Sequence, residues 1–349
     1  MNAGAVGEQP ITLSMRGAHN VNILRQSTSH TSTDTLARDI ILPVSADTKI
    51  KLVHNSTSSL FSDSGRQTSF SAFSLQDFLS DSYQKIFSVA RQSGYDVYGE
   101  LPFTEVLVDV GHSWDNNTRY AIQKAGLYFF TFSCGVTSAG GVRAQIKSVV
   151  AGVLSEIYRK NTNYNGEDTL STVVMGNLEE GDFVYIDFLE GELYSDSDRQ
   201  ISFGGFHYSP RDGSQHAWSV YRTTSVEPDL GPLDPLPFQG AHVNTGVYSF
   251  DDDNVHITQS GIYYIHLNVG VDRRETLEAY IIRDDSRTEA VISRGDRYHE
   301  DPDIMGQGLL LELEAGNTIK VTLGDSSGLY SDDNKQSIFT GILLLPFPN

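Results

Sequence analysis

Residues 111–115, Gly-His-Ser-Trp-Asp, come nearest in this chain to a nucleophile motif. A serine elbow of the Gly-x-Ser-x-Gly kind needs its glycines for a sharp strand-to-helix turn. Here Asp115 takes the place of the last glycine and no helical pattern follows, so hydrolase chemistry is not expected. The 10 histidines include no His-Glu-x-x-His and no cysteine pairing, which leaves a catalytic zinc site without a ligand set. Cys134, the single cysteine, lies in "YFFTFSCGV" and reads as a small buried hydrophobe; no disulfide forms within the chain. Carboxylates remain. Asp and Glu total 45 against 25 Lys and Arg, a net charge of −20. The two signs balance over 1–79 (6 against 6), and acids exceed bases over 80–215 (18 against 10) and 216–349 (21 against 9). Such a surface argues against phosphate-backbone and anionic-membrane partners, both of which need a basic face, and suits metal ions or basic partners.

The elements that must position these residues announce themselves by repetition. The phrase "LFSDSGRQTSF" at 60–70 returns as "LYSDSDRQISF" at 193–203 and "LYSDDNKQSIF" at 329–339, with starts 133 and 136 residues apart. That spacing is a domain, not a solenoid unit of roughly 20–50 residues. Residues 101–136 also lie over 236–271 without a gap, sharing Leu-Pro-Phe, Gly126 and Gly261, and Tyr128 and Tyr263. The reading is an incomplete unit over 1–79 and two full ones over 80–210 and 214–349. In the first, only "DTL" at 34–36 and "SFSAF" find counterparts, and nothing matches the Leu-Pro-Phe or Gly-x-Tyr segments.

Short runs such as "LYFFTFSCGV", "FVYIDFL" and "TIKVTLG" are rich in β-branched and aromatic residues and show no helical period, which predicts all-β, two-sheet domains. Alternation puts Tyr128, Phe130 and Phe132 on the core face, and Tyr263, Ile265 and Leu267 on the core face of the matching strand. Phe129 and Tyr264 fall on the opposite face. They are either covered by another domain or isolated exposed rings.

Phe103, Asp109, Trp114, Tyr120 and the run Gly126, Tyr128, Phe130 resemble the signature of the complement component 1q globular head, a family of the tumour necrosis factor-like jelly-roll superfamily. One residue is deleted before Tyr120. The second full unit keeps Phe238, Asn244, Gly261 and Tyr263 but has Ser249 where an aromatic is usual, and its close through Phe339 resembles the family's last two strands. The resemblance implies tandem ten-stranded jelly rolls assembled as a trimer about a threefold axis. It places the repeated phrase in a loop leading to the last core strand, with Phe70, Phe203 and Phe339 in the core and Asp63, Asp196 and Asp332 as turn acids bonding their own backbone.

It also implies calcium. "EDTL" (167–170) and "EDPDIM" (300–305) occupy equivalent loops where family members bind it, which carries the expectation onto Asp168, Asp303, Glu167 and Asp296, with Asp34 aligned to the first two. Calcium takes six to eight oxygens, so neighbouring subunits or carbonyls must contribute; a solvated acidic loop is the plain alternative.

The expected function is non-catalytic, multivalent recognition of microbial or carbohydrate ligands by secreted trimeric heads in innate immunity. A signalling or adhesion ligand of cerebellin or tumour necrosis factor type, binding a receptor protein, is the alternative. No signal peptide or apolar run of ~20 residues is present, so membrane insertion is not expected. The incomplete first unit is read as a truncation that removed the true start, with completion by a partner as the other possibility. The sequons at 55–57 and 116–118 point weakly to secretion.

Overall fold

The computed structural model describes residues 2–6, 11–16, 21–25, 33–54, 60–62, 66, 68–75, 85–136, 141–159, 168–210, 213–225, 234–271, 277–294, 303–324 and 328–348. The architecture is all-β. In the second copy one sheet orders Trp114–Asp115, Arg119–Ala121, Phe183–Gly191, Val142–Ser148 and Gly152–Arg159; the other orders Asp168–Leu178, Gly126–Val136, Ile201–His207, Ile86–Arg91 and Glu105–Val110. The third copy repeats both sheets, with Gly261–Val271 between Asp303–Leu313 and Ile338–Pro346. These are two antiparallel five-stranded sheets face to face, a jelly roll, with very short strands added at the margins.

Each jelly roll has its own apolar core. Phe87, Tyr128, Phe130, Phe132 and Phe203 fill the second, and Trp218, Tyr263, Ile265, Leu267 and Phe339 the third. The strand Gly126–Val136 reads as a near-continuous apolar run because both of its faces are buried. Leu127 and Phe129 point away from their own core, yet are 8% and 4% exposed.

They are covered because the copies pack on one another. A third apolar cluster joins Phe129, Val173, Met175 and Phe206 of the second copy to Val243, Tyr264 and Ile342 of the third, with Ile41 and Leu75 of the first against it. Phe129 meets Tyr264 edge to face at 5.8 Å, a geometry that adds about 0.5–1.5 kcal/mol to plain burial. Aromatics at matching outward positions therefore mark a surface between copies.

The first copy is joined to both others through its sheets. Val21–Arg25 meets Asp168–Leu178 through Arg25 and Asp168, and Thr33–Ala37 meets Arg287–Arg294 through Asp34 and Arg294. It also contains more of the fold than its sequence showed. Asn2–Val6 pairs with Thr33–Ala37 in the register by which Ser133–Val136 pairs with Asp168–Ser171, and it takes Leu60–Phe61 on its other edge as Gly135–Val136 takes Leu193–Tyr194. The tail end of the Gly-x-Tyr strand is thus present, disguised by alanines.

Two assignments change. Phe70 is not core: it is 42% exposed, where Phe203 and Phe339 are 0% and 1%, because the strands that cover those two have no counterpart over it among the described residues. Ser249 is not the structural partner of Trp114. Trp114 lies opposite Tyr120 and Tyr248 opposite Val255, so the one-residue difference falls inside this turn and Tyr248 holds the aromatic place beside Phe238.

Candidate binding surface at the threefold junction

The repeated phrase builds the junction. Its acid bonds back into its own loop: Asp196 Oδ1 accepts from the Asp198 amide at 2.7 Å and Asp332 Oδ1 from the Asn334 amide at 2.7 Å. Gln200 and Gln336 close the same loops by accepting from the amides of Asp196 and Asp332. Asp63 lies outside the described residues. The basic residue at the phrase's seventh position turns left-handed in every copy, with φ of 53° at Arg66, 58° at Arg199 and 62° at Lys335.

That turn faces a neighbour each time. The Arg66 carbonyl accepts from Gln307 of the third copy at 2.8 Å, and its guanidinium reaches the buried Glu289 at 3.0 Å. The Arg199 carbonyl accepts from Arg38 of the first copy, whose position corresponds to that of Gln307. Lys335 donates to the Val153 carbonyl of the second copy at 2.8 Å, while the adjacent Gln336 donates to Glu156 at 2.8 Å. Burial pushes the Glu156 carboxyl up, so its hydrogen bonds from Gln145, Arg143 and Gln336 are what keep it satisfied. The contacts run first to third, third to second and second to first, which closes a ring.

At the axis three strands meet, at Thr35–Ala37, Asp168–Ser171 and Asp303–Gly306, around a cavity of only about 10 Å³. Beside it Arg159, 3% exposed, holds Asp168 at 3.0 Å and stands 4.0 Å from Asp303. The other oxygens of these carboxylates accept the amides of Thr169 and Ile304, each at 2.8 Å. Asp168 and Asp303 are therefore brought together as the alignment anticipates, but a guanidinium occupies the position of their counter-charge. This does not fit calcium, which needs six to eight oxygens and is repelled by a fixed cation. Glu167 and Asp296 lie outside the described residues, and among those described no group of three acidic, histidine or cysteine side chains could hold a metal. Arg159 was missed in the sequence although a signal existed: Arg25, Arg159 and Arg294 each stand nine residues before Asp34, Asp168 and Asp303.

Deeper at the junction Asp39 of the first copy accepts from the Tyr264 hydroxyl at 2.7 Å and lies 3.2 Å from Nε2 of the fully buried His266. Burial pushes the Asp39 carboxyl up, but opposing effects led by the neighbouring His266, to which the Tyr264 hydroxyl adds, hold the group at about 2. Burial, with the Asp39 charge, pushes the Tyr264 hydroxyl well up, so it remains a donor.

The signature residues divide by role. Phe103, Tyr128, Phe130, Phe203, Phe238, Tyr263 and Phe339 are buried, Gly126 and Gly261 open the central strands, and Trp114 stacks half-buried on Phe87 at 5.6 Å. Asp109 and Asn244 are not core but stand near the ends of their strands and hold the turns that follow. Asp109 Oδ1 accepts from the Ser113 amide, and the exposed Asn244 takes the amides of Gly246, Val247 and Tyr248 on one oxygen. Ser113 sits in that turn ahead of a strand, with no helix behind it. Burial pushes the Cys134 thiol up to about 12, which leaves it unreactive near neutral pH.

The family model described as "C1q domain" matches residues 86–207 and 217–344, well over half of the chain. Among solved structures, the globular domain of zebrafish complement 1qA protein is similar at 22% identity with a TM-score of 0.31, over 36% of this chain and 98% of that one. A tumour necrosis factor, Eiger from S. frugiperda, is similar at 16% identity with a TM-score of 0.30, over 39% and 96% respectively. No curated protein matches.

Proposed function

Because the chain belongs to the C1q domain family, in which a recognition role is general, we propose that it is a non-catalytic, secreted recognition protein that binds microbial or carbohydrate ligands multivalently in innate immunity. The observation that supports this reading is the ring: three copies of one fold face outward around one junction, so a single chain offers related surfaces at fixed spacing. Linked weak sites gain avidity through effective concentration without any new contact. Association of such heads into trimers or larger assemblies multiplies the sites further.

The test has two parts. Static light scattering with calcium and with chelator reports whether a head is one chain of 38.5 kDa or three. Binding to immobilised bacterial polysaccharide is then compared with binding to intact animal cells. Retention on polysaccharide that falls steeply when free monosaccharide competes supports the reading. Saturable binding to one cell-surface protein, with none to polysaccharide, replaces it by the signalling or adhesion role.

A further inference from the structure

A β-bulge in the third copy aims a carboxylate into the seam with the first. The strands Leu277–Arg283 and Arg287–Arg294 pair Ile281 with Ala290 and Ile282 with Thr288, so Glu289 is the extra residue and has no ladder partner. A bulge re-aims the side chain it carries, and bulges gather beside functional sites. The same bulge stands in the second copy, where Ile146 pairs with Ser155 and Lys147 with Val153, and there the extra residue is Leu154. Both are buried, Leu154 at 1% and Glu289 at 0% exposed. An apolar side chain therefore satisfies the fold at this place, and the acid answers another need.

Glu289 holds three guanidinium groups at once: Arg283 at 2.5 Å, Arg66 of the first copy at 3.0 Å and Arg287 at 3.1 Å. In the second copy the places of Arg283 and Arg287 are taken by Ser148 and Gly152, so the repeat does not supply this cluster. Among the described residues no other carboxylate comes within 4.0 Å of these three arginines. The acids of the adjoining turn are engaged elsewhere. Asp285 pairs with Lys320 at 2.6 Å, and Asp284 accepts from the Thr318 amide and the Asn317 side chain. Three cations against one anion make a local positive excess in a chain whose net charge is −20. Arg283 is turned inward, 13% exposed and bonded also to the Glu312 carbonyl. The side chains of Arg66 and Arg287 are 46% and 58% exposed, so each gives one edge to Glu289 and the rest of its fork to solvent.

We propose that Arg66 and Arg287 form an oxyanion-binding site on the seam between the first and third copies, and that its ligand is an acidic saccharide bearing carboxylate or sulfate groups. Glu289 and Arg283 are the positioning residues. The saccharide class rests on the recognition reading above, whereas the oxyanion chemistry rests on the arginines alone. A guanidinium fork presents paired donors at the spacing of carboxylate and sulfate oxygens, and a buried carboxylate that fixes the inner edges of two forks pre-organises their outer ones. The acidic remainder of the surface repels a polyanion, which confines it to this patch.

The test uses the whole chain and four probes: inorganic sulfate, an oligouronate, a sulfated oligosaccharide and a neutral dextran oligosaccharide of equal length. Each is titrated into the unaltered chain, Arg287→Gln and Arg119→Gln. The first variant removes an exposed fork at a place that is glycine in the second copy. The second removes the same charge from the second copy, where Arg119 pairs with Glu100. The expected result by calorimetry is that the acidic saccharides bind roughly tenfold more tightly than dextran, and that Arg287→Gln weakens them roughly fivefold at an unchanged melting temperature while Arg119→Gln does not. The tighter of the two acidic probes tells carboxylate from sulfate. Sulfate alone is expected to shift the guanidinium resonances of Arg66 and Arg287 at lower concentration than that of Arg119. Equal affinity for acidic and neutral probes overturns the site and leaves saccharide recognition standing. Equal loss in the two variants overturns it as diffuse attraction, and so does a chain that responds neither to sulfate nor to the acidic saccharides. Selective sulfate shifts with no saccharide bound support the oxyanion site and overturn the recognition reading instead.

Discussion

Arg159 carries the junction's most consequential single charge. It lies buried against Asp168 and within 4.0 Å of Asp303, so truncating it leaves carboxylates in a closed site without that guanidinium. Arg159→Ala is expected to destabilise the chain by about 3 kcal/mol, the usual scale for breaking a buried pair from one side, read as a shift of the urea midpoint. An unchanged midpoint would mean that water already reaches the axis. The same residues predict indifference to calcium: chelator leaves the melting temperature where it was. Asp39 sets a pH window. Its folded value of about 2 lies below the ordinary carboxylate value of about 3.9, so its contribution is fully present above pH 4 and is lost as pH falls through 2. That contribution is at most about 3 kcal/mol, and Asp39→Asn is expected to flatten the acid limb of a stability profile measured between pH 5 and pH 2. The acids of the axis were legible because repeats align them. The arginine and histidine that answer them were not, because burial between copies is a property of packing that no single run of residues displays.

At the scale of elements, the central strands tolerate no side chain where a short neighbouring strand crosses their ends. A Cβ on Gly270 would stand 2.2 Å from the Tyr330 carbonyl, and one on Gly135 would stand 2.5 Å from the Tyr194 carbonyl, both backbone atoms that cannot swing aside. Gly270→Ala is therefore expected to cost roughly 1–3 kcal/mol and to lower the melting temperature by several degrees. An unaffected melting curve would show that Leu329–Tyr330 detaches without consequence. Gly4 holds the same register against Phe61, and this glycine was the one clue in the sequence that Asn2–Val6 matches the end of the central strand. It went unread because the alanines beside it stand where Cys134, Val136, Val269 and Val271 fill the other cores. The phrase loops were the opposite case. In the two full copies their length, their terminal core phenylalanine and their turn acid were legible, since a local hydrogen-bond pattern needs its residues at fixed offsets, whereas the exposure of Phe70 and the loops' reach into the next copy were hidden.

For the molecule as a whole, ring closure makes each copy a lid on the other two. Phe129, Val173, Tyr264 and Ile342 point away from their own cores and are buried only because neighbours cover them, and Tyr264 is tied to the first copy through both Phe73 and Asp39. A fragment of residues 80–349 keeps both full jelly rolls and their private cores but loses that cover. It is expected to fold, to melt at lower temperature than the full chain, and to self-associate through the uncovered face in light scattering, since contiguous exposed apolar surface of this kind drives association. A fragment that stays monomeric and as stable as the full chain would show that the first copy merely rests on the surface, and the ring would lose its structural meaning. The two-faced apolar strands carried this information in the sequence. "GLYFFTF" and "GIYYIHL" spend aromatics on both sides, which a strand with one wet face does not need. Which surface covers them was beyond periodicity, because the covering residues Asp39, Ile41 and Phe73 lie more than fifty residues before either strand, in a unit whose own sequence shows only part of the fold.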